Sequence, residues 1–318
     1  MKALRFSAYG PASVLSIQEI PVPVLQEGEV LVQVKASSIN PSDVGTVAGR
    51  FHSKLPMTPG RDYAGIVVEG NGAWAGKPVW GTGAGFGVVR PGAHAEFVAV
   101  PSSWLSEKPE NLSMEQAAVV GVPYLAAWQS LVDAGGLRRG EHLLVTGGGG
   151  AVGAAAIQIA HWKGASVIVA DRLSTIQGAD AVINLKEDEL APAVMKHTGG
   201  RGVDIVLDTV GGELFRACLN TLRVGGRQVA IANATGPGAD VHFNLTDFYH
   251  NQLRLMGVDT QKLAGPEIAH IMNRLREGFE SGALQIAQPE VNNFDKAIET
   301  YNRVAEKTAR GKQSLVFN

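Results

Sequence analysis

The run His142-Leu-Leu-Val-Thr-Gly-Gly-Gly-Gly-Ala-Val-Gly153 carries a chemistry that residue types and spacing can name. An apolar stretch enters a glycine turn, and Gly148, Gly150 and Gly153 fit G-x-G-x-x-G. The first glycine allows the tight turn. The second lets a pyrophosphate approach the backbone, and the third lets a helix pack on a strand. A helix beginning there presents unpaired N–H groups and a positive dipole end to phosphate. Residues 154–162 continue as an apolar helix, and Ala165-Ser-Val-Ile-Val-Ala170 reads as a second strand ending at Asp171. An acid about 20 residues past the turn is placed to meet a ribose diol. The unit therefore reads as a dinucleotide site, with a purely structural glycine turn as the alternative.

Such a turn needs a parallel sheet to hold it. From about residue 122, strands at 143–146, 167–170, 181–184, 203–208, 228–232 and 253–258 alternate with helical stretches. That alternation predicts a doubly wound parallel sheet. The first 120 or so residues differ. Val30-Leu-Val-Gln-Val34, Ala64-Gly-Ile-Val-Val68 and Ala95-Glu-Phe-Val-Ala-Val100 are short β-like runs punctuated by Gly and Pro. They predict a mainly antiparallel, barrel-like region. After Asp259 the pattern predicts helices at 266–278 and 293–309 and a last strand at 311–317. No internal repeat or low-complexity linker appears.

A chain of 318 residues is long enough for two cores. With 45% hydrophobic and 18% charged residues it reads as globular. A net charge of −2 gives no footprint for nucleic acid or a membrane surface. The longest apolar runs contain glycine or are too short to span a bilayer. The single cysteine, Cys218, excludes disulfides within the chain and thiolate metal clusters. The N-terminus starts like a strand without an apolar signal core, so a cytoplasmic location is expected.

Several segments, in this order, resemble the zinc-independent branch of the medium-chain dehydrogenase/reductase superfamily, near quinone oxidoreductases and enoyl reductases. They are Ser38-Ile-Asn-Pro-Ser-Asp43, Pro59-Gly-Arg-Asp-Tyr-Ala-Gly65, Gly92-Ala-His-Ala-Glu-Phe97, Val119 to Trp128, the glycine turn, Asp208-Thr-Val-Gly-Gly212 and Gly311-Lys312. The resemblance implies an α/β architecture: a GroES-like irregular β-barrel catalytic domain with an inserted Rossmann domain. The expected division is 1–121 plus 260–318 for the catalytic part and 122–259 for the dinucleotide-binding part. It further implies hydride transfer from NADH or NADPH to a quinone or an α,β-unsaturated carbonyl, and a homodimer paired through the edge strand of the Rossmann sheet. A cofactor-binding redox sensor or interaction protein with little catalysis is the alternative.

Zinc-dependent relatives hold their metal with two Cys and a His. The matching positions here are Asn40, Arg61 and Val122, so no zinc is expected. His94 sits in a turn marker of the family rather than in a ligand set. Without metal, an acceptor must be polarised by hydrogen bonds and charge. Asn40, Arg61 and Asp43 are the catalytic candidates. Asn40 lies beside the nicotinamide in the resemblance, although Asn before Pro also simply shapes turns. Arg61 can hold an anionic or carbonyl oxygen, or pair with Asp43 or Asp62. Tyrosines lining the quinone pocket of some relatives are Gly45 and Phe51 here. Tyr124, Phe51, Phe243 and Tyr249 are either pocket walls or plain packing.

The cofactor is expected to meet Gly148, Gly150, Ala151, Val152 and Gly153 at the turn, and Asp171 and Arg172 after the second strand. Thr209, Val210, Ile231, Asn233 and Val258 complete the set at or just past later strand ends. Asp171 would repel a 2′-phosphate, which leans to NADH, whereas Arg172 could meet one and the branch leans to NADPH. Only residues 173–177 stand where relatives place a full helix before Gly178-Ala-Asp180, so the adenosine pocket is expected to be shallow.

Overall fold

Turn chemistry and short buried runs shape the first part of the chain. A computed structural model describes residues 1–70, 72–233 and 240–317. Strands β1 (Lys2–Phe6) and β2 (Leu15–Glu19) pair antiparallel. Strand β3 (Glu29–Ile39) runs into helix α1 (Pro41–Val47), where Pro41 occupies a first-turn position that needs no backbone donor. Then come β4 (Tyr63–Glu69), β5 (Pro78–Gly81), β6 (Phe97–Pro101) and β7 (Ser106–Glu107). Helices α2 (Met114–Ala118) and α3 (Gly121–Trp128) follow.

The next strands are β8 (His142–Thr146), β9 (Ser166–Asp171), β10 (Ala181–Asn184), β11 (Val203–Asp208), β12 (Leu222–Ala230) and β13 (Arg254–Gly257). Helices α4 (Ala151–Trp162), α5 (Leu190–His197), α6 (Glu213–Leu219) and α7 (Leu245–His250) lie between them. All six strands are parallel, in the order β10-β9-β8-β11-β12-β13. That is the Rossmann order, with β8 as first strand and the reversal of direction beside it. Strands β8, β9 and β11 are nearly continuous apolar runs because both their faces are buried. No helix joins β9 to β10, as the shortened segment predicts. Strand β12 starts earlier than expected, since Gly225 and Gly226 form an irregularity within it rather than a turn before it.

Helix α8 (Gly265–Glu280), strand β14 (Glu290–Asn293), helix α9 (Ala297–Ala305) and strand β15 (Gln313–Val316) close the chain. The helix expected over 293–309 is shorter at both ends. Its first residue belongs to β14, which pairs parallel with β15, and Lys307 adopts φ 58° just past its end. The sheet order is β14-β15-β3-β4-β5-β7, with β6 also on β3. Strand β3 is its hub: residues 29–33 pair with β6, 31–36 with β4 and 36–39 with β15. Val30, Val32 and Val34 feed one core with Tyr63, Val79 and Phe86. Ile39 and Leu315 feed a second with Phe6, Phe294 and Tyr301.

Met1–Leu125 with Gln261–Asn318 form one compact unit and Ala126–Thr260 the other. The first boundary lies four residues beyond 121 because α3 begins there and is packed as part of the first unit up to Leu125. Among the described residues no helix is long and apolar enough to cross a membrane.

Candidate active site

The glycine turn lies between β8 and α4, and each glycine has its own reason. A Cβ at Gly148 would overlap Val169 Cγ1, and one at Gly153 would stand 2.5 Å from the Gly147 carbonyl oxygen. These two glycines serve packing. Gly150 is different. It is exposed, its φ of −79° suits any residue, and a Cβ there would meet nothing nearer than the Gly147 oxygen at 3.3 Å. Gly150 is the N-cap of α4 without a side-chain cap. The first-turn N–H groups of Ala151, Val152 and Gly153 therefore have no helical acceptor. Open space over free N–H groups fits a pyrophosphate.

Asp171 ends β9 and folds back on this turn. One carboxylate oxygen accepts from the Gly149 N–H at 2.9 Å, and the other from Arg172 N–H at 2.6 Å and Leu173 N–H at 3.2 Å. Arg172 is exposed. On the other side of β8, buried Asp208 accepts from Thr146 Oγ1 at 2.8 Å and from the N–H groups of Val210 and Gly211 at 3.1 and 2.9 Å. Thr209 donates its hydroxyl to the Thr146 carbonyl at 2.7 Å. Val210 is half-buried beside it. Ile231 and Val258 stand just past β12 and β13, and Asn233 is exposed two residues further on from Ile231.

The three catalytic candidates meet in a buried polar cluster of the first unit. Asn40 caps α1, and its N–H donates to Asp43 Oδ2 at 2.8 Å. Its amide nitrogen lies 3.0 Å from Ser38 Oγ, 3.1 Å from Asp43 Oδ2 and 2.8 Å from Asp62 Oδ2. Its amide oxygen accepts from Lys312 Nζ at 2.6 Å. Two amide hydrogens facing three acceptors leave none over, and Asn40 is only 2% exposed. The network thus engages both hydrogens of the Asn40 amide.

Asp62 is the hub. Its carboxylate accepts from Ser38 Oγ at 2.7 Å, Asn40 Nδ2 at 2.8 Å, Thr82 Oγ1 at 2.5 Å and the Val122 N–H at 3.0 Å. A Cβ at Gly121 would collide with Asp62 Oδ1, so glycine is what lets the first turn of α3 reach the carboxylate. Burial pushes both Asp43 and Asp62 above the usual carboxylate range, with Arg61 drawing Asp43 back and Lys312 drawing Asp62 back. Burial also lowers half-buried Lys312.

Arg61 is not among these donors to Asp62. Its ion-pair contact is with Asp43, Nε to Oδ1 at a long 4.0 Å, and its guanidinium lies 4.8 Å from the Phe51 ring centre. Nε, Nη2 and Asp43 Oδ1 are buried without a hydrogen-bond partner among the described residues. At the three positions that the resemblance matches to zinc ligands, Asn40, Arg61 and Val122, the side chains are an amide bonded within the cluster, a guanidinium and an isopropyl group.

His94 is a staple rather than a ligand. Its Nε2 lies 2.9 Å from the Ser38 carbonyl and its Nδ1 3.0 Å from Tyr301 Oη. The carbonyl can only accept, so Nε2 carries the hydrogen and Nδ1 accepts from the tyrosine. Burial pushes its pKa down to about 4. The unfolded chain binds a proton below about pH 6.5 and the folded one does not until about 4. His94 therefore supplies stability above pH 6.5 that is lost as pH falls toward 4, up to about 3 kcal/mol. Denaturant unfolding of wild type and His94→Asn at pH 7 and 4.5 should show a much smaller acid loss in the variant. Equal losses would contradict the assignment.

The aromatic candidates separate. Tyr124 is buried, donates to the Gln285 carbonyl at 2.8 Å and packs on Phe279. Phe243 and Tyr249 are exposed, the former 5.3 Å from the Phe248 ring centre. At Gly45 the Arg50 guanidinium fills the room a side chain would take, 3.4 Å from a Cβ. Sequence reasoning missed Lys312, Ser38 and Thr82 as members of the cluster.

A glycine-rich turn on a Rossmann sheet in one unit and a separate, mainly antiparallel β unit in the same chain define a dehydrogenase/reductase of two-domain type. Residues 26–110 match the alcohol dehydrogenase GroES-like domain family, and residues 151–276 the zinc-binding dehydrogenase family. A zinc-type alcohol dehydrogenase-like protein of Schizosaccharomyces pombe is 32% identical over 96% of this chain and 94% of its own length. The human quinone oxidoreductase is 27% identical over 100% of this chain and 98% of its own. Among solved structures, an NAD-dependent alcohol dehydrogenase superposes with a TM-score of 0.89 at 28% identity over all of both chains. A mycobacterial protein complexed with NADPH does so with 0.84 at 27% identity, also over all of both. The chain belongs to the medium-chain dehydrogenase/reductase superfamily, in its quinone oxidoreductase-like branch, and is an oxidoreductase.

Proposed function

We propose that this chain is a metal-free reductase that uses NADH or NADPH to reduce a quinone or an α,β-unsaturated carbonyl. The observation that carries the reading is the buried Asn40–Asp43–Arg61–Asp62–Lys312 cluster, two of whose members, Asn40 and Arg61, stand where the resemblance puts zinc ligands and do not fit zinc. Gly148, Gly150, Ala151, Val152 and Gly153 would hold the pyrophosphate. Asp171 and Arg172 would meet the adenosine ribose, and Thr209, Val210, Ile231, Asn233 and Val258 the remainder. A bound reduced nicotinamide would supply a hydride, and a proton from water completes the two-electron reduction. Arg61 presents its positive charge to the acceptor as negative charge develops on the acceptor oxygen. Asn40 and Asp43 are positioning residues for it. The Asp171 carboxylate favours NADH over NADPH. The names of relatives support a nicotinamide cofactor and a quinone acceptor, and the branch supports a homodimer.

Titration with both reduced nicotinamides, followed by turnover on a panel of quinones and enones, tests the reading. Tight cofactor binding without turnover of any acceptor would replace it with that of a redox sensor. Metal analysis of the purified protein should find far less than one zinc per chain, and chelators should leave turnover unchanged. About one tightly held zinc per chain would refute the metal-free part.

A further inference from the structure

Arg61 is a buried cation with unused hydrogen-bonding capacity, and which of its atoms are unused is informative. The guanidinium keeps only 7% of its side chain exposed. The two orphaned nitrogens, Nε and Nη2, carry the parallel N–H pair along one edge of the fork. That edge matches the two oxygens of a carboxylate in a bidentate pair. A carboxylate meets each of the two donors with its own oxygen and also answers the buried positive charge, which a neutral carbonyl oxygen does not.

Among the described residues nothing fills this edge. Asp43 is the nearest anion, but its Oδ2 is anchored by the Asn40 N–H at 2.8 Å and the Asn40 amide at 3.1 Å. Its other oxygen stays 4.0 Å from Nε and is itself unpartnered. Asp62, next in the chain, has turned to its own four donors. The half-buried Phe51 ring lies against the guanidinium, its centre 4.8 Å from the guanidinium carbon.

We propose that the Nε–Nη2 edge of Arg61 is a carboxylate-recognition site, and that the natural acceptor is an α,β-unsaturated ketone or quinone bearing a carboxylate. This rests on the reductase reading and narrows its substrate class. An arriving carboxylate adds a negative charge to a cluster that holds Asp43 and Asp62 against Arg61 and Lys312. Burial already favours the protonated form of Asp43, so Asp43 can surrender its charge as the ligand replaces it beside Arg61.

The test uses 4-oxo-4-phenylbut-2-enoate and its methyl ester as paired acceptors, with the saturated 4-oxo-4-phenylbutanoate as a non-reducible ligand. Wild type should prefer the acid over the ester in kcat/KM by about 100-fold, the scale of two charge-assisted hydrogen bonds. Arg61→Met should collapse that ratio toward one, and Arg61→Lys, which keeps the charge but loses the fork, should recover only part of it. Calorimetry should show the saturated acid binding Arg61→Met at least about tenfold more weakly than wild type. If Arg61→Met fails to fold, Arg61→Lys alone still reads both quantities. A wild type indifferent to acid and ester, or variants binding the saturated acid as wild type does, overturns the proposal. If neither acceptor is reduced yet the saturated acid binds through Arg61, the recognition site stands and the reductase reading falls.

Discussion

Gly150→Val should weaken binding of either nicotinamide dinucleotide by at least about 100-fold, which is close to 3 kcal/mol, while the melting temperature moves by only a few degrees. The separation of the two effects is the point. Gly150 has an ordinary backbone conformation, with φ −79° and ψ 165°, and lies exposed at the start of α4. Valine costs the free chain little more than a poorer helix cap, about 1 kcal/mol or less. Its methyl groups would stand near the first-turn N–H groups of Ala151, Val152 and Gly153, the place proposed for the pyrophosphate. Gly148→Ala and Gly153→Ala make the contrast, because their added carbons strike Val169 and the Gly147 carbonyl and should cost stability first. Equilibrium titration by nicotinamide fluorescence, with thermal melts on the same samples, reads both quantities. Unchanged affinity in a folded Gly150→Val protein would remove the turn from the cofactor site.

The Rossmann half was legible because its information is local. Buried parallel strands are short apolar runs, and the turn that joins β8 to α4 must spend glycines at fixed offsets. Even the missing helix between β9 and β10 could be counted off. The first unit was legible only in class, since β3 changes partners along its length and no local pattern announces that. The site divided in the same way. Asn40, Asp43 and Arg61 lie within a few turns of chain and were found together. Lys312 was missed because 272 residues separate it from Asn40. The clue was nevertheless present in the final strand. Gln313 pairs antiparallel with Ile39, so one step beyond each places Lys312 opposite Asn40. The bonding of the Asn40 amide was not legible for a related reason: its partners Ser38 and Asp62 come from β3 and from the residue just before β4, and a side chain's saturation depends on such neighbours rather than on its own identity.

Asp62→Ala should be the most destabilising single change in the first unit, costing about 3–5 kcal/mol, the usual penalty for removing one partner of a buried charged network. The carboxylate is fully buried and accepts four hydrogen bonds from Ser38, Asn40, Thr82 and the Val122 N–H. Two of these donors have alternatives, because the Ser38 and Thr82 hydroxyls can rotate. The Val122 N–H and the Asn40 amide are fixed by the start of α3 and the cap of α1, so they would be left unmet in a dry interior. Lys312 would also lose the anion that most opposes its desolvation. Asp62→Asn keeps the shape and two acceptor lone pairs, and should cost roughly half as much. Because two units unfold, a single global midpoint can hide the effect. Native-state hydrogen exchange reads it directly: protection should fall at Val122 and along residues 36–40 of β3, and stay unchanged in β8 and β9. Uniform loss across both units, or a cost below about 1 kcal/mol, would mean that Asp62 is not the hub that ties β3, α1 and α3 together.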